Sequence, residues 1–218
     1  MPGMPNGGSG NSPEQIGQLR RVPVQQRGRE RFEKILSVAA ELIEAHGSDA
    51  LKMSEIVERA GLSFGALYQY FPDKSAVIRT LAERFNEQGR RCVEAELAGV
   101  ADPVALRQAL CTIADEYYAF FRSEPVMRDI WFAAQADRLL QQIDADDMEF
   151  HAQVLLSVLA RLWPTQPPGQ LLAIARLTMQ LLAAAVRYAA SLEDDEGRAA
   201  IALYKKMLPT DFSQLVQG

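Results

Sequence analysis

The sequence predicts an all-α fold in which a three-helix N-terminal domain is joined by a long helix to a larger helical domain. Apolar residues recur at helical spacing in every segment with a readable period, and none alternates as a half-buried strand does. The composition is that of a globular chain, with 48% hydrophobic and 23% charged residues among 218. A short helix, a glycine-containing turn and a second short helix at residues 53–71 complete the pattern.

Turn residues mark the helices of the first domain. Helix 1 is predicted at residues 28–46, because its apolar residues share one face and Gly47 suits the position after a helix end. Helix 2 follows at residues 53–60 and stops at Gly61. Ser63 is the natural N-cap of helix 3.

Pro72 ends helix 3, and Asp73 caps a fourth helix that continues to about Leu97. The later helices are predicted at about 104–123, Pro125 to Gln135, a segment ending at Trp163, 171–192 and Asp194 to Leu208. The predicted domains are a disordered basic arm at 1–26, a helix-turn-helix domain at 27–86 and a larger helical domain at 87–218.

The net charge of −5 is unevenly distributed. Residues 1–86 carry 11 basic and 10 acidic residues, whereas residues 87–218 carry 12 and 18. Residues 18–29 hold four arginines and no acid. Such an arm can follow phosphates, although a solubilising tail would have the same composition. Any attraction to nucleic acid is therefore expected to be local.

The segment at about 169–192 is apolar or alanine on almost every side. Arg176 and Arg187 interrupt it, and each would cost about 2.5–3.5 kcal/mol at mid-bilayer, so we expect no membrane span. Such a helix must be covered by its own domain or by another subunit. We expect a homodimer through this helix and the last one, at about 195–208. A monomer with both helices internal is the alternative.

The residues around the turn are more specific than its spacing. Residues 56–63 read IVERAGLS and residues 65–74 read GALYQYFPDK. This string resembles the DNA-binding domain of the tetracycline-repressor (TetR) family, and the resemblance covers about residues 27–85. Residues 100–218 match only the general helical layout of that family. The resemblance implies a bacterial regulator, with a pocket in the C-terminal domain whose occupation by a small molecule moves helix 4.

Physical reasoning assigns roles within the motif. Leu62, Leu67 and Phe71 are expected in the core, holding helix 3 against helix 1. Gly65 allows close approach of the backbone to DNA, and Lys74 is expected to bind phosphate as a point charge.

The remaining side chains of the motif suit groove contacts. Gln69 can form two hydrogen bonds with adenine, the tyrosine hydroxyls can reach phosphates, and Phe64 with the Ala66 methyl can contact thymine methyls. The alternative is that one of the two tyrosines, Tyr68 or Tyr70, belongs to the core. The predicted DNA-binding residues are Arg27, Lys52, Ser54, Ser63, Phe64, Gly65, Ala66, Tyr68, Gln69, Tyr70 and Lys74.

Two places depart from the family pattern. Lys52 and Met53 stand where members often carry a threonine that touches phosphate, so Lys52 or Ser54 is expected to make that contact. Phe64 occupies a position that is often polar. We therefore expect an operator, the DNA site of the regulator, that is read partly through thymine methyls and DNA shape.

Aromatic residues are concentrated in the larger domain. Of 17 aromatic residues, seven lie between residues 117 and 150, which suits a pocket for an apolar or aromatic effector. The alternative for each aromatic residue is a place in a plain hydrophobic core. For His151 the alternative is a core position in which its hydrogen bonds are satisfied. Asp115 and Glu116 are expected to pair with an arginine of the long apolar helix. The predicted ligand-binding residues are Tyr117, Phe120, Phe121, Met127, Trp131, Phe132, Phe150 and His151.

The reactive residue types are sparse. Two cysteines without C-x-x-C spacing and two histidines supply no disulfide framework, metal site or catalytic set. We expect no cofactor, no metal and no enzyme activity, but a double-stranded DNA operator, a small-molecule effector and a cytoplasmic, nucleoid-associated protein. Residues 1–13 lack the apolar run of a signal peptide. The alternatives are an all-α small-molecule-binding protein or enzyme without sequence-specific DNA binding, and a protein whose alanine-rich helices bind another protein.

Overall fold

The computed structural model describes residues 26–133 and 137–216. These residues form helices and no strand, so the predicted all-α class is confirmed. In chain order the helices are α1 (Gln26–His46), α2 (Met53–Ala60), α3 (Phe64–Tyr68), α4 (Lys74–Ala98), α5 (Pro103–Ser123), α6 (Pro125–Ala133), α7 (Arg138–Leu162), α8 (Pro168–Ala190), α9 (Asp194–Met207) and α10 (Ser213–Val216). The predicted arm at residues 1–26 lies outside the described residues except for Gln26, as does the predicted end of helix 6 at Gln135.

The first compact unit extends to Thr80. The apolar residues of α1 are buried because they recur every three or four positions and so share one face of the helix. Leu67 and Phe71 are fully buried, as predicted, and the Phe71 ring stacks on Phe32 at a centroid distance of 5.0 Å. Leu62 is only half-buried.

Local capping fixes the ends of the short helices. Gly61 adopts a left-handed conformation with φ of 64°, which ends α2 at little steric cost. The Ser63 hydroxyl accepts a hydrogen bond from the Ala66 amide at 3.2 Å, and the Asp73 carboxylate accepts one from Ala76 at 2.8 Å. These three predicted caps are confirmed. Helix α3 ends at Tyr68 rather than just before Pro72, because the next residues form a turn.

The second compact unit begins at Leu81, inside α4. Helix α8 is central to it and packs against α5, α7 and α9. Gly197 permits close contact between α9 and α8, since a Cβ there would lie 2.6 Å from the carbonyl oxygen of Ala189. The sequence analysis missed α10, which follows the fully buried Phe212.

Helix α8 is, in the described part of the chain, the one helix long and apolar enough to cross a membrane by length and composition. Arg176 pairs with Glu149 through two contacts of 2.8 and 2.9 Å. The Arg187 guanidinium lies 5.6 Å from the centroid of the Trp131 ring. Both arginines therefore have partners on other helices.

The predicted partners of these arginines are wrong. Asp115 pairs with Lys205 of α9 at 2.7 Å. Glu116 accepts a hydrogen bond from the Cys92 thiol at 2.8 Å. The side chains that contact these two acids come from α4 and α9, not from α8.

Candidate functional site

The exposed face of α3 is the first candidate site. Helix α3 and the turn after it carry two groups of side chains, with Leu67 and Phe71 in the first and Phe64, Tyr68 and Gln69 in the second. The first pair is buried and the other three are exposed. The unit that anchors α3 thus leaves one of its faces open.

Two aromatic rings occupy part of this face. Phe64 and Tyr68 stand one turn apart, with ring centroids 6.1 Å apart and an angle of 19° between their planes. They remain 49% and 37% exposed. The two nearly parallel rings thus form a small exposed apolar surface.

One residue predicted for the DNA-binding face lies elsewhere, and a second is partly covered. Tyr70 is only 5% exposed and packs edge-on against Phe32 at 6.0 Å, so the expectation that it lies on the exposed face is wrong. Ala66 is half-buried beside the N-cap. The Ala66 methyl is thus partly shielded, and the ring beside Phe64 is that of Tyr68.

Gly65 also lies on the exposed face. Its φ is not positive, since the positive-φ glycines of the described residues are Gly47 and Gly61. A Cβ at position 65 would meet one neighbour in the described chain, the Ser63 hydroxyl at 4.0 Å. The fold itself therefore supplies no reason for glycine here.

The predicted phosphate-binding residues surround this face unevenly. Arg27 and Ser54 are exposed, and Lys52 is exposed with its ammonium 3.3 Å from Glu55. Lys74 is half-buried, and its ammonium donates to the carbonyl of Asp49 at 2.9 Å. Lys74 thus ties the start of α4 to the loop after α1, a contact that the sequence analysis did not foresee.

The second candidate site is the polar interior of the larger unit. The Nε2 atom of His151 lies 2.9 Å from the Tyr117 hydroxyl and 3.1 Å from the Asp147 carboxylate. Arg90 reaches the same carboxylate from α4 at 2.6 Å and lies over the Phe150 ring at 4.9 Å. Nε2 of His151 thus lies within hydrogen-bond distance of both groups, and the tautomer of the ring sets the direction of each bond.

This polar network contains unmatched atoms. Nδ1 of the fully buried His151 and one carboxylate oxygen of Asp144 have no hydrogen-bond partner among the described residues. Burial raises the pKa of Asp144 to about 6, with Arg187 opposing and Asp147 reinforcing the shift. Burial also holds the pKa of Tyr117 well above its usual range.

Asp144 lines a small cavity with Asn86 and Trp131. Its volume is about 10 Å³, enough for about one water molecule.

The predicted ligand-binding residues of the larger unit differ in how deeply they are buried. Tyr117, Phe121 and Met127 are buried, Phe120 and Phe150 are half-buried, and Phe132 is 50% exposed. Phe132 lies near the end of α6, apart from the buried members of this set.

The sequence analysis missed Arg90, Asp144 and Asp147. Asp144, Asp147 and His151 are spaced three and four residues apart, so the sequence alone places them on one face of a helix. Arg90 lies 57 residues before its partner and gave no such signal.

The third feature is an apolar groove between α8 and α9. Exposed side chains line an open space of about 640 Å³. Its most exposed members are Leu177, Leu181, Tyr188, Leu203 and Met207, which are 54–75% exposed. An apolar surface of this extent marks an interaction site.

The α2–turn–α3 arrangement, with one buried and one open face of α3, defines a helix-turn-helix domain. The chain belongs to the TetR family. The family model described as bacterial regulatory proteins, tetR family, matches residues 35–81, and the tetracyclin repressor-like C-terminal domain matches residues 105–216. The resemblance found in the sequence is confirmed.

Individual relatives agree with this membership. The uncharacterized HTH-type transcriptional regulator YvdT of Bacillus subtilis (strain 168) is 42% identical over 62 residues, 28% of this chain. That match spans about a third of the relative, 31% of its length.

Solved structures share the fold. A TetR-family transcriptional regulator from Streptomyces coelicolor has a TM-score of 0.64 and 24% identity, over 85% of this chain and 99% of that one. A complex of SmeT with triclosan has a TM-score of 0.60 and 18% identity, over 80% and 89%.

Proposed function

We propose that this chain is a ligand-responsive repressor that a small apolar or aromatic effector releases from a pseudo-palindromic operator in double-stranded DNA. The open face of α3 carries the proposal, because Phe64, Gly65, Tyr68 and Gln69 lie together on it while the opposite face is anchored in the core. Such a helix can enter the major groove while its predecessor crosses the backbone.

Sequence-independent affinity would come from cations and hydroxyls around α3. Arg27, Lys52 and Ser54 are exposed, and Lys74 keeps one N–H beyond the two that point to loop carbonyls. The overall charge is negative, so attraction to phosphate is local. Ser63 serves the helix as its N-cap, and its hydroxyl remains exposed for a phosphate.

A second copy of the chain is the proposed occupant of the groove between α8 and α9. The exposed leucines of the groove lie on two neighbouring helices, which a two-fold axis would pair into a four-helix bundle. A dimer also carries two copies of α3, which suits half-sites about 34–36 Å apart. We propose that this dimer is cytoplasmic and nucleoid-associated.

The effector site is proposed in the interior of the larger unit. Tyr117, Phe121, Met127 and Trp131 supply apolar walls, and the unmatched atoms of His151 and Asp144 supply polar groups. A small cavity already lies beside Trp131 and Asp144. SmeT, which shares the fold, is solved with triclosan, which supports a small-molecule effector. Residues 87–218 would thus form the effector-binding and dimerisation domain.

Selection from a randomised duplex library tests the DNA-binding part. The full chain should enrich one pseudo-palindromic sequence over bulk DNA at moderate salt. A library recovered without enrichment would contradict specific reading. A variant with Gln69→Ala should still bind the enriched sequence but should relax one base position, by about 1–3 kcal/mol.

Thermal-shift screening tests the effector part. A compound present at about 100 times its dissociation constant should stabilise the fold by about 2.7 kcal/mol. The same compound should release the operator in a gel-shift assay. A stabilising compound that leaves operator binding unchanged would argue against the proposed regulation.

A further inference from the structure

The rings of Phe64 and Tyr68 on α3 form a larger exposed apolar surface together than either ring would alone. The ring planes of Phe64 and Tyr68 are 19° from parallel, and both rings stay substantially exposed. Because each ring restrains the other, little rotamer entropy is lost when a third group packs on them. Phe64 has no polar atom, so its ring suits an apolar group rather than a phosphate.

Gly65 is the second observation, and it is independent of the first. Glycine in a helix is less stable than alanine, and here neither φ nor internal packing requires it. Its Cα lies on the same exposed face as the two rings. The missing side chain therefore leaves space for a group from outside the protein.

We propose that Phe64, Tyr68 and the open space at Gly65 together bind the 5-methyl group of a thymine in the major groove. The inference rests on the proposed function and names the base feature that this face would read. Thymine carries the one methyl group among the base edges of the major groove. The rings form an apolar wall beside it.

Gln69 lies on the same face and complements this surface. Its amide can donate to N7 and accept from the N6 amino group of an adenine. An A·T pair, or two adjacent ones, thus offers both a methyl for the rings and an adenine edge for the amide. The operator should therefore contain an A·T pair at the same place in each half-site.

The test uses the full chain and an operator selected by it. Each thymine is replaced in turn by uracil, which lacks only the 5-methyl group. Burial of one methyl contributes about 0.8 kcal/mol, or roughly fourfold in affinity. We expect one thymine in each half-site to show this roughly fourfold loss, while the other thymines show none.

Variants assign the effect to the ring pair. Phe64→Ala should bind the thymine and uracil operators equally, because the apolar wall is lost. Tyr68→Phe keeps the ring and should keep the roughly fourfold preference, which separates the ring from the hydroxyl. If Phe64→Ala still discriminates between the two operators, the rings do not read the methyl.

Gly65→Ala provides a variant that should fold well. An added Cβ meets open space within the chain, so Tm should rise by about 2 °C, whereas operator affinity should fall. Unchanged affinity would overturn the role of the open space.

Two failures remain distinguishable. If no operator is selected, both the proposed function and this inference fall. An operator that binds tightly but has no uracil-sensitive thymine overturns this inference alone and leaves the regulator intact.

Discussion

Individual side chains of this protein often serve the fold at positions where the sequence pointed to DNA. Lys74 illustrates this, because its ammonium holds the carbonyl of Asp49 at 2.9 Å and approaches that of Ser48 at 3.5 Å. Tyr70 is a second case, packed against Phe32. Binding and stability are therefore coupled at the base of α3 and α4, and measurements must separate them.

Replacing Lys74 with alanine separates the two contributions. The free energy of unfolding should fall by about 1 kcal/mol, because the loop carbonyls lose a charged donor. The slope of log K against log salt should fall by about 1 if the third N–H contacts phosphate. Lys34→Ala, an exposed lysine of α1, is the control for both measurements. A loss of stability with an unchanged slope would leave Lys74 a structural brace only.

Asp144 makes stability depend on pH. Its pKa is raised from 3.8 to about 6 in the folded protein, so folding favours the neutral carboxyl. The stabilisation is fully present below about pH 4 and is lost as pH rises through about 6. Asp144→Asn should thus gain about 1 kcal/mol over the parent at pH 7, after allowance for solvent screening, and nothing at pH 4.

Thermal unfolding at pH 4, 5, 6 and 7 measures this difference. Asp146→Asn, an exposed neighbour on α7, should show no pH-dependent difference from the parent. An Asp144→Asn variant whose advantage does not grow between pH 4 and pH 7 would contradict the raised pKa.

At the scale of elements, a polar tie joins α4 to α7 in the larger unit. Arg90 approaches Asp147 from α4, and Asp147 in turn contacts His151, which contacts Tyr117 of α5. Gly89 makes room for the Tyr117 hydroxyl beside the backbone of α4. Three helices therefore meet at one buried polar cluster, whose members depend on one another.

A double-mutant cycle measures this dependence. Arg90→Met should cost about 2 kcal/mol of unfolding free energy, because it leaves the Asp147 carboxylate buried with a single partner. Adding Asp147→Leu should recover part of the loss. Arg91→Met on the same helix, whose pair with Glu87 is exposed, should cost less than about 0.5 kcal/mol. Strictly additive losses would mean that Arg90 and Asp147 do not stabilise each other.

The sequence alone predicted the structural features that depend on residues close together along the chain. Gly61, Ser63 and Asp73 act on residues a few positions away, so their effects on helix ends could be inferred from spacing. Burial of Tyr70 depends on Phe32, and the bond between Arg90 and Asp147 joins residues 57 positions apart. Such contacts are set by tertiary packing, which periodicity does not encode.

At the candidate DNA-binding face, too, the location was predictable from the sequence and the side-chain packing was not. Its location came from the motif, and Phe64, Gly65, Tyr68 and Gln69 are exposed as expected. The stacking of Phe64 on Tyr68 depends on rotamers that the sequence leaves open.

At the scale of the whole molecule, we expect the protein to act as a homodimer. Large apolar side chains remain exposed between α8 and α9, whereas the rest of the larger unit has a well-covered core. Their burial against a second copy would complete the proposed four-helix bundle. Both subunits would then hold an α3 for one half-site each.

Leu181→Glu tests the pairing. A charge in the centre of the groove should convert the dimer to a monomer in sedimentation velocity and weaken operator binding at least about tenfold. Val104→Glu, on an exposed site of α5 outside the groove, should remain dimeric and bind normally. If the parent chain already sediments as a monomer at micromolar concentration, the groove has another occupant.

The open groove between α8 and α9 also bears on how the amount of protein controls occupancy. Below the dimer dissociation constant, dimers form with the square of the monomer concentration, so halving synthesis would lower operator occupancy by about fourfold at low saturation. A monomer-dimer equilibrium near cellular concentration would therefore make the response to gene dosage steep even when no effector is present.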